Sequence, residues 1–333
     1  MKKQYIFILS LSATLILMAV ISVALGRFPI STGELFAAIS DRLTGRTSVS
    51  ATTSAILFNV RLPRILLACL VGCCLSSAGV AYQGTFRNPM ASPDILGASS
   101  GAAAGAAIAI LLELSGRMVT VFAFVFSLAT IALVTLVSKA ARGERILGII
   151  LAGIMVSSLA NAVTSFIKLV ADPNSILPEI TYWLMGSLAK TKPADTLFAL
   201  IPMTIGMVPL FFLRWRINLL TLPDNEARSL GINVNATRGA VIVCSTLITA
   251  ASVSVSGLIG WVGLVVPHLA RRIVGSDFRV LLPTSAIGGA LFLLLVDNVS
   301  RNLLITEIPI GILTSVIGAP FFIWLMTRRE VTE

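Results

Sequence analysis

The sequence predicts an all-α polytopic membrane protein, a bundle of about ten transmembrane helices within one domain spanning 1–333. Three observations carry that expectation. Hydrophobic residues make up 56% of the chain and charged ones 12%, against roughly a quarter charged in an ordinary soluble domain. Charge-poor apolar runs recur along almost the whole sequence, each near the ~20 residues a helix needs to cross a bilayer. The net charge of +10 sits in short loops between those runs, which points to membrane orientation and away from nucleic-acid binding.

Taken in order, the first run covers 5–25 and follows Lys2-Lys3. It is too long for the apolar region of a secretory signal and ends without a small-x-small cleavage site, so an uncleaved first span is expected. Further runs fall near 62–82, 95–113, 118–138, 146–170, 194–213, 238–256, 258–274, 280–299 and 308–327, the seventh and eighth separated only around Gly257. The stretch 171–193 is too polar to span and too apolar for a free loop, which predicts a short helix packed on the bundle. Just before it, Lys168 and Asp172 stand four apart, a spacing that permits an ion pair. Gly97, Gly101 and Gly105 repeat every four residues on one helical face, so helix backbones are expected to approach closely there. Cys69, Cys73, Cys74 and Cys244 all lie inside runs without His, Asp or Glu at ligand spacing; packing, not a disulfide or a metal site, is the reading.

Starting inside and alternating, this scheme puts both termini in the cytoplasm. Lys2, Lys3, Arg87, Lys139, Arg142, Arg145, Arg214, Arg216, Arg271, Arg272, Arg279, Arg328 and Arg329 fall on the same side. Arg42, Arg46, Arg61 and Arg64 fall outside against the rule, so a specific task is expected of them.

Two motifs stand out. Arg61-Leu62-Pro63-Arg64 opens the second run, and Gln83 is followed by Asn88-Pro89-Met90-Ala91-Ser92-Pro93 and Leu96-Gly97, where two prolines force a turn between spans. Later come Trp183-Leu184-Met185-Gly186-Ser187-Leu188, Gly260-Trp261-Val262-Gly263 through Pro267-His268 and Arg271, Gly275-Ser276-Asp277, Leu281-Leu282-Pro283, Asp297 to Arg301, Pro309-Ile310-Gly311 and Gly318-Ala319-Pro320. In that order and spacing, from about residue 60 onward, the chain resembles the binding-protein-dependent permeases of the FecCD type, which import ferric siderophores, haem and vitamin B12.

The resemblance implies a fold like that of the vitamin B12 importer permease. It also implies a second permease subunit, either another copy or a paralogue, two cytoplasmic ATPase subunits and a periplasmic or lipid-anchored substrate-binding protein, in a bacterial inner membrane. The implied function is passage of an iron(III) chelate, with haem, cobalamin or an oxyanion as the alternatives. By position, Arg61, Arg64 and Arg301 match outward arginines that dock the binding protein, an arrangement suited to pairing carboxylates. Asn88, Pro89 and Met90 match a cytoplasmic gate. A segment at about 217–235, with Leu222, Pro223, Asp224, Glu226, Ala227, Leu230 and Gly231, matches the helix that couples to the ATPase. Asp224 near a helix start and Gly231 beyond its end independently suit a short capped helix. Asp297 and Arg301 also share a four-residue spacing, so internal pairing competes with docking there.

No Gly-x4-Gly-Lys-[Ser/Thr] phosphate loop occurs, so energy must come from another subunit or an ion gradient. A gradient-driven carrier would show ionisable residues in mid-span or matched broken helices, and these spans are nearly free of such charge. An intramembrane enzyme would need a nucleophile with its base, or a ligand cluster; neither is present, and no cofactor or resident metal is expected. The lone His268, with no companion donor, is expected to serve structure.

Overall fold

The computed structural model describes residues 2–26, 28, 30–45, 49–140 and 145–327. Arg46, Arg142, Arg328 and Arg329 lie outside the described residues. Regular structure in the described residues is helical throughout: α1 (Lys2–Ala24), α2 (Thr32–Thr44), α3 (Ala51–Thr85), α4 (Ala98–Leu111), α5 (Gly116–Ala140), α6 (Arg145–Val170), α7 (Ile176–Leu184), α8 (Pro193–Leu220), α9 (Asp224–Ser229), α10 (Val234–Ser256), α11 (Val262–Val274), α12 (Phe278–Asn302) and α13 (Ile310–Thr327). Seven of these, α1, α3, α5, α6, α8, α10 and α12, are long and apolar enough to cross a membrane. The shorter apolar helices α4 and α13, together with α11, account for the remaining runs. Helix is what such runs must form, because lipid offers no partner to an unpaired backbone group.

Two elements differ from the hydropathy reading, which leaves 26–61 as an external loop. Helix α2 is held by a capping box: the Glu34 amide donates to Ser31 Oγ at 3.2 Å, and the Ser31 amide to Glu34 Oε2 at 2.9 Å. Gly45, with φ of 72°, closes its far end in the left-handed region that glycine adopts readily. Helix α3 starts eleven residues before its apolar run, passes through a π-helical segment at Ile56–Arg61 and continues to Thr85. At 35 residues and ~1.5 Å per residue it is longer than the ~30 Å hydrocarbon layer, so its first turns stand outside.

Helix α3 is the hub, packing on α8, α10, α11 and α12. Its glycines allow this. A Cβ added at Gly72 would lie 2.1 Å from the Gly289 carbonyl oxygen, and one at Gly79 would lie 1.9 Å from that of Gly263. Backbones therefore touch, and the dense contact supplies the attraction that lipid-immersed helices cannot obtain from burying apolar surface. On α4, Gly101 and Gly105 face Thr130 and Phe122 of α5; Gly97 departs from the expected single helical face, because it caps the start of α4 with φ of 76° and lies against Ser157 of α6. The outward faces of α1, α6 and α8 carry Ile16, Leu17, Ile154, Leu159, Phe166, Ile201 and Phe212, all exposed on the chain.

Helix α7 is the short packed helix expected within 171–193. Past its end, the Ile310 amide donates to the Gly186 carbonyl and the Ser187 amide to that of Ser256, both at 2.8 Å, tying the start of α13 to the end of α10. Asp172 does not reach Lys168: its carboxylate caps the turn before α7, accepting from the Ser175 amide at 2.8 Å.

Candidate functional site

The charged groups that the helices bury gather at the two ends of the bundle. At one end, Arg61 and Arg64 project from α3, and Asp297 and Arg301 from α12. All four are buried, with Asp297 at 0% exposure. Arg64 is gripped on both edges. Its Nε and Nη2 donate to Asp297 Oδ1 at 2.9 and 2.8 Å, and its Nη1 and Nη2 donate to the Glu307 carboxylate at 3.0 and 2.9 Å. Arg301 Nε lies 3.7 Å from Asp297 Oδ2, and its Nη2 donates to the Ser22 carbonyl at 3.1 Å and to Asn298 Oδ1. Arg61 donates to the carbonyls of Val23 at 2.7 Å, Ala24 at 3.2 Å and Phe28. These include carbonyls at the end of α1, which lack helical donors of their own.

Arg61, Arg64 and Arg301 are the three arginines expected to face outward. The three do meet at one end of the bundle, but their guanidiniums turn inward onto groups of this same chain. For Arg64 and Arg301 the physical reason is the proximity of Asp297, joined for Arg64 by Glu307, because a buried guanidinium takes a nearby carboxylate; Arg61 instead takes carbonyls at and beyond the end of α1. With three guanidiniums and two carboxylates, the cluster keeps one positive charge in excess. All three arginines and Glu307 line a cavity of about 150 Å³ at this end.

At the opposite end, α9 is a six-residue helix that Gly231, at φ of 84°, follows. Ala227 is buried, whereas Leu230 is 57% exposed. Asp224, the first residue of α9, accepts from two arginines: from Arg238 of α10, whose Nη2 lies at 3.0 Å, and from Arg87 of the turn after α3. These bonds, Arg238's first, hold the Asp224 carboxyl below the usual carboxylate range. Arg87 also donates from Nε to the carbonyl of Leu220, the last residue of α8, at 3.0 Å. Nearby, Asp277 caps α12 and accepts from Asn218 Nδ2 at 2.8 Å, joining α8 to α12. The Arg279 side chain, then its amide and Asn218, pull the Asp277 carboxyl down to about 2.

The turn expected to form a gate follows directly. Asn88 Oδ1 accepts from the Met90 amide at 2.8 Å, and the Asn88 carbonyl from the Ala91 amide at 3.0 Å. Asn88, Pro89 and Met90 are exposed. Behind them Gln83 Oε1 accepts from Arg271 Nη2 at 2.8 Å, linking α3 to α11, and Pro93 packs on Gly263. His268 lies edge-on to the Phe322 ring of α13 at 5.9 Å. Among the described residues, no group of three His, Cys, Asp or Glu is arranged to hold a metal ion.

Sequence reading missed Glu307, Arg87 and Arg238 as members of these clusters. Arg87 stands beside the Asn-Pro turn, and that adjacency was the available signal. For Arg238, buried in the first turns of α10, a charged residue at the head of an apolar run was the cue.

Both ends thus carry organised polar clusters joined by a closely packed helical bundle. The profile of the FecCD transport family matches residues 14–328. The chain belongs to that family. One FecCD relative, from Helicobacter pylori and assigned as an iron chelatin transport system permease, is 43% identical over 280 residues, covering 84% of this chain and 85% of its own. The molybdate import permease MolB of Haemophilus influenzae is 40% identical over 312 residues, covering 94% and 92%. A solved inward-facing ABC transporter assigned to the metal-chelate type superposes with a TM-score of 0.86 at 39% identity, covering 96% of this chain and 98% of that one. As a FecCD member the chain is a permease subunit of an ABC importer and not an enzyme; ATP hydrolysis belongs to a separate subunit.

Proposed function

We propose that this permease moves an iron(III) chelate, a ferric siderophore, from periplasm to cytoplasm across a bacterial inner membrane, with both termini on the cytoplasmic side. The observation that carries the cargo is the 43% identity to the Helicobacter relative assigned to iron chelatin transport. In this reading the substrate-binding protein docks at the arginine end, where excess positive charge borders an open cavity and favours an acidic partner. Two ATPase subunits take the opposite end through Leu222 to Gly231, where exposed Leu230 supplies apolar contact. A second permease subunit completes the pathway, and the Asn88-Pro89-Met90 turn closes it toward the cytoplasm. A molybdate-type oxyanion is the second reading, favoured by the 40% identity to MolB over nearly the whole chain.

Uptake by cells lacking the chain, with and without its restoration, separates the two. Labelled ferric hydroxamate and ferric catecholate are compared with labelled molybdate, haem and cobalamin. Loss and recovery confined to a ferric chelate is the expected result. Loss of molybdate uptake alone replaces the iron assignment with the oxyanion.

A further inference from the structure

The turn at Asn88-Pro89-Met90 and the short helix α9 are remote in sequence, yet the residue next to the turn is bonded to α9 through its side chain. Arg87 immediately precedes the turn, and it spans to Asp224 at the start of α9 and to the Leu220 carbonyl at the end of α8. We propose that Arg87 is the positioning residue through which displacement of α9 is carried to the 88–90 turn. This rests on the reading of those two segments as coupling helix and gate.

The Asp224 carboxylate serves two arginines of different character. Arg238 is 3% exposed at its side chain and belongs to the helix that follows α9 after a four-residue link, so it travels with α9 as an anchor. Arg87 is 32% exposed and belongs to the chain leaving α3. The Asp224–Arg87 bond therefore crosses between a segment that meets the ATPase and a segment that closes the pathway, whereas the Asp224–Arg238 bond stays within one. Charge-assisted bonds of this kind lose most of their strength when donor and acceptor part by an ångström or so. A shift of α9 on that scale must either pull Arg87 along or break its grip.

The backbone at Arg87 makes the first outcome consequential. Its φ is +51°, in the left-handed region that residues with a Cβ occupy only against steric resistance. Both its side-chain bonds and the Arg87 and Asn88 amide bonds to Gly84 and Gln83 hold it there. Movement of the guanidinium is thus fed into a residue whose backbone is poised to relax, directly before Asn88. Among the described residues, no other ion pair joins the turn to α9.

The test is amide hydrogen exchange of the permease assembled with its ATPase subunits in lipid nanodiscs, with and without a non-hydrolysable ATP analogue. In the wild type, exchange is expected to change in peptides covering both 222–231 and 86–96. In Arg87→Gln the change at 222–231 is expected to persist while that at 86–96 falls by about fivefold or more, and Arg87→Lys, which keeps the charge, should recover part of it. Arg87→Met removes the same bonds while keeping a long unbranched side chain and serves if Arg87→Gln fails to assemble; Asp224 is left intact because it also holds Arg238. An Arg87→Gln response at 86–96 equal to the wild type overturns the inference and leaves the coupling reading intact. If 222–231 is silent in the wild type, and Leu230→Asp leaves ATPase association unchanged, the coupling reading itself falls and takes the inference with it.

Discussion

Asp297 shows how much one residue holds at the arginine end. It is fully buried, and both Arg64 and Arg301 face it. Asp297→Asn keeps the volume and removes the charge, leaving two guanidiniums packed together with only Glu307 to balance them. Removing one partner of a buried pair costs about 3–5 kcal/mol, so a marked fall in the thermal unfolding midpoint in detergent micelles is expected. The exposed pair Lys190–Glu179, with side chains 78% and 54% accessible, is the comparator. Glu179→Gln should shift the same midpoint hardly at all, since such pairs contribute about 0–1 kcal/mol. Arg61, Arg64 and the 297/301 spacing were legible in the sequence as unusual charges beside apolar runs. Their mutual pairing was not, because local spacing says nothing of a carboxylate 233 residues away.

Helices here are specified twice, once by apolar length and once by what their surfaces permit. Length was readable: each of the ten hydropathy runs coincides with a helix. Helix α2 escaped because it is short and carries polar residues, so no apolar run marks it; the Ser31-x-x-Glu34 capping box was its visible signal. Which glycines carry close packing was only partly readable. The Gly97-Gly101-Gly105 stripe is regular, but the contacts of Gly72 and Gly79 with Gly289 and Gly263 involve pairs far apart in the chain. Gly79→Ala drives a methyl into the Gly263 carbonyl, where backbone cannot yield cheaply, and is expected to abolish stable folding or cut the unfolding midpoint sharply. At Gly239, inside α10, a Cβ meets nothing within 4 Å. Gly239→Ala should therefore stabilise by up to about 1 kcal/mol through helix propensity alone, read as a small rise in the same midpoint.

Across the whole molecule, the end bearing α9 is held by exposed or half-exposed carboxylates whose pKa is depressed by arginine. An unfolded aspartate titrates at about 4; the Arg279 side chain pulls the Asp277 carboxyl down to about 2, and Arg238 and Arg87 shift Asp224 in the same direction. A lowered folded-state value means the stabilisation is complete above the unfolded value and is lost as pH falls toward the folded one. Unfolding midpoints are thus expected to drop as pH falls from about 4 to about 2, and Asp277→Asn should flatten part of that dependence. The arginine end sets a different condition, one of timing. Arg64 is made early in the chain, but its acceptors Asp297 and Glu307 lie 233 and 243 residues later. At ribosomal rates of roughly 5–20 residues per second, the guanidinium emerges about ten to fifty seconds before either carboxylate exists. Through that interval its charge must be met by water or lipid phosphate at the interface, so the clasp at this end closes only after α12 and the segment that follows it have been delivered by the insertion machinery.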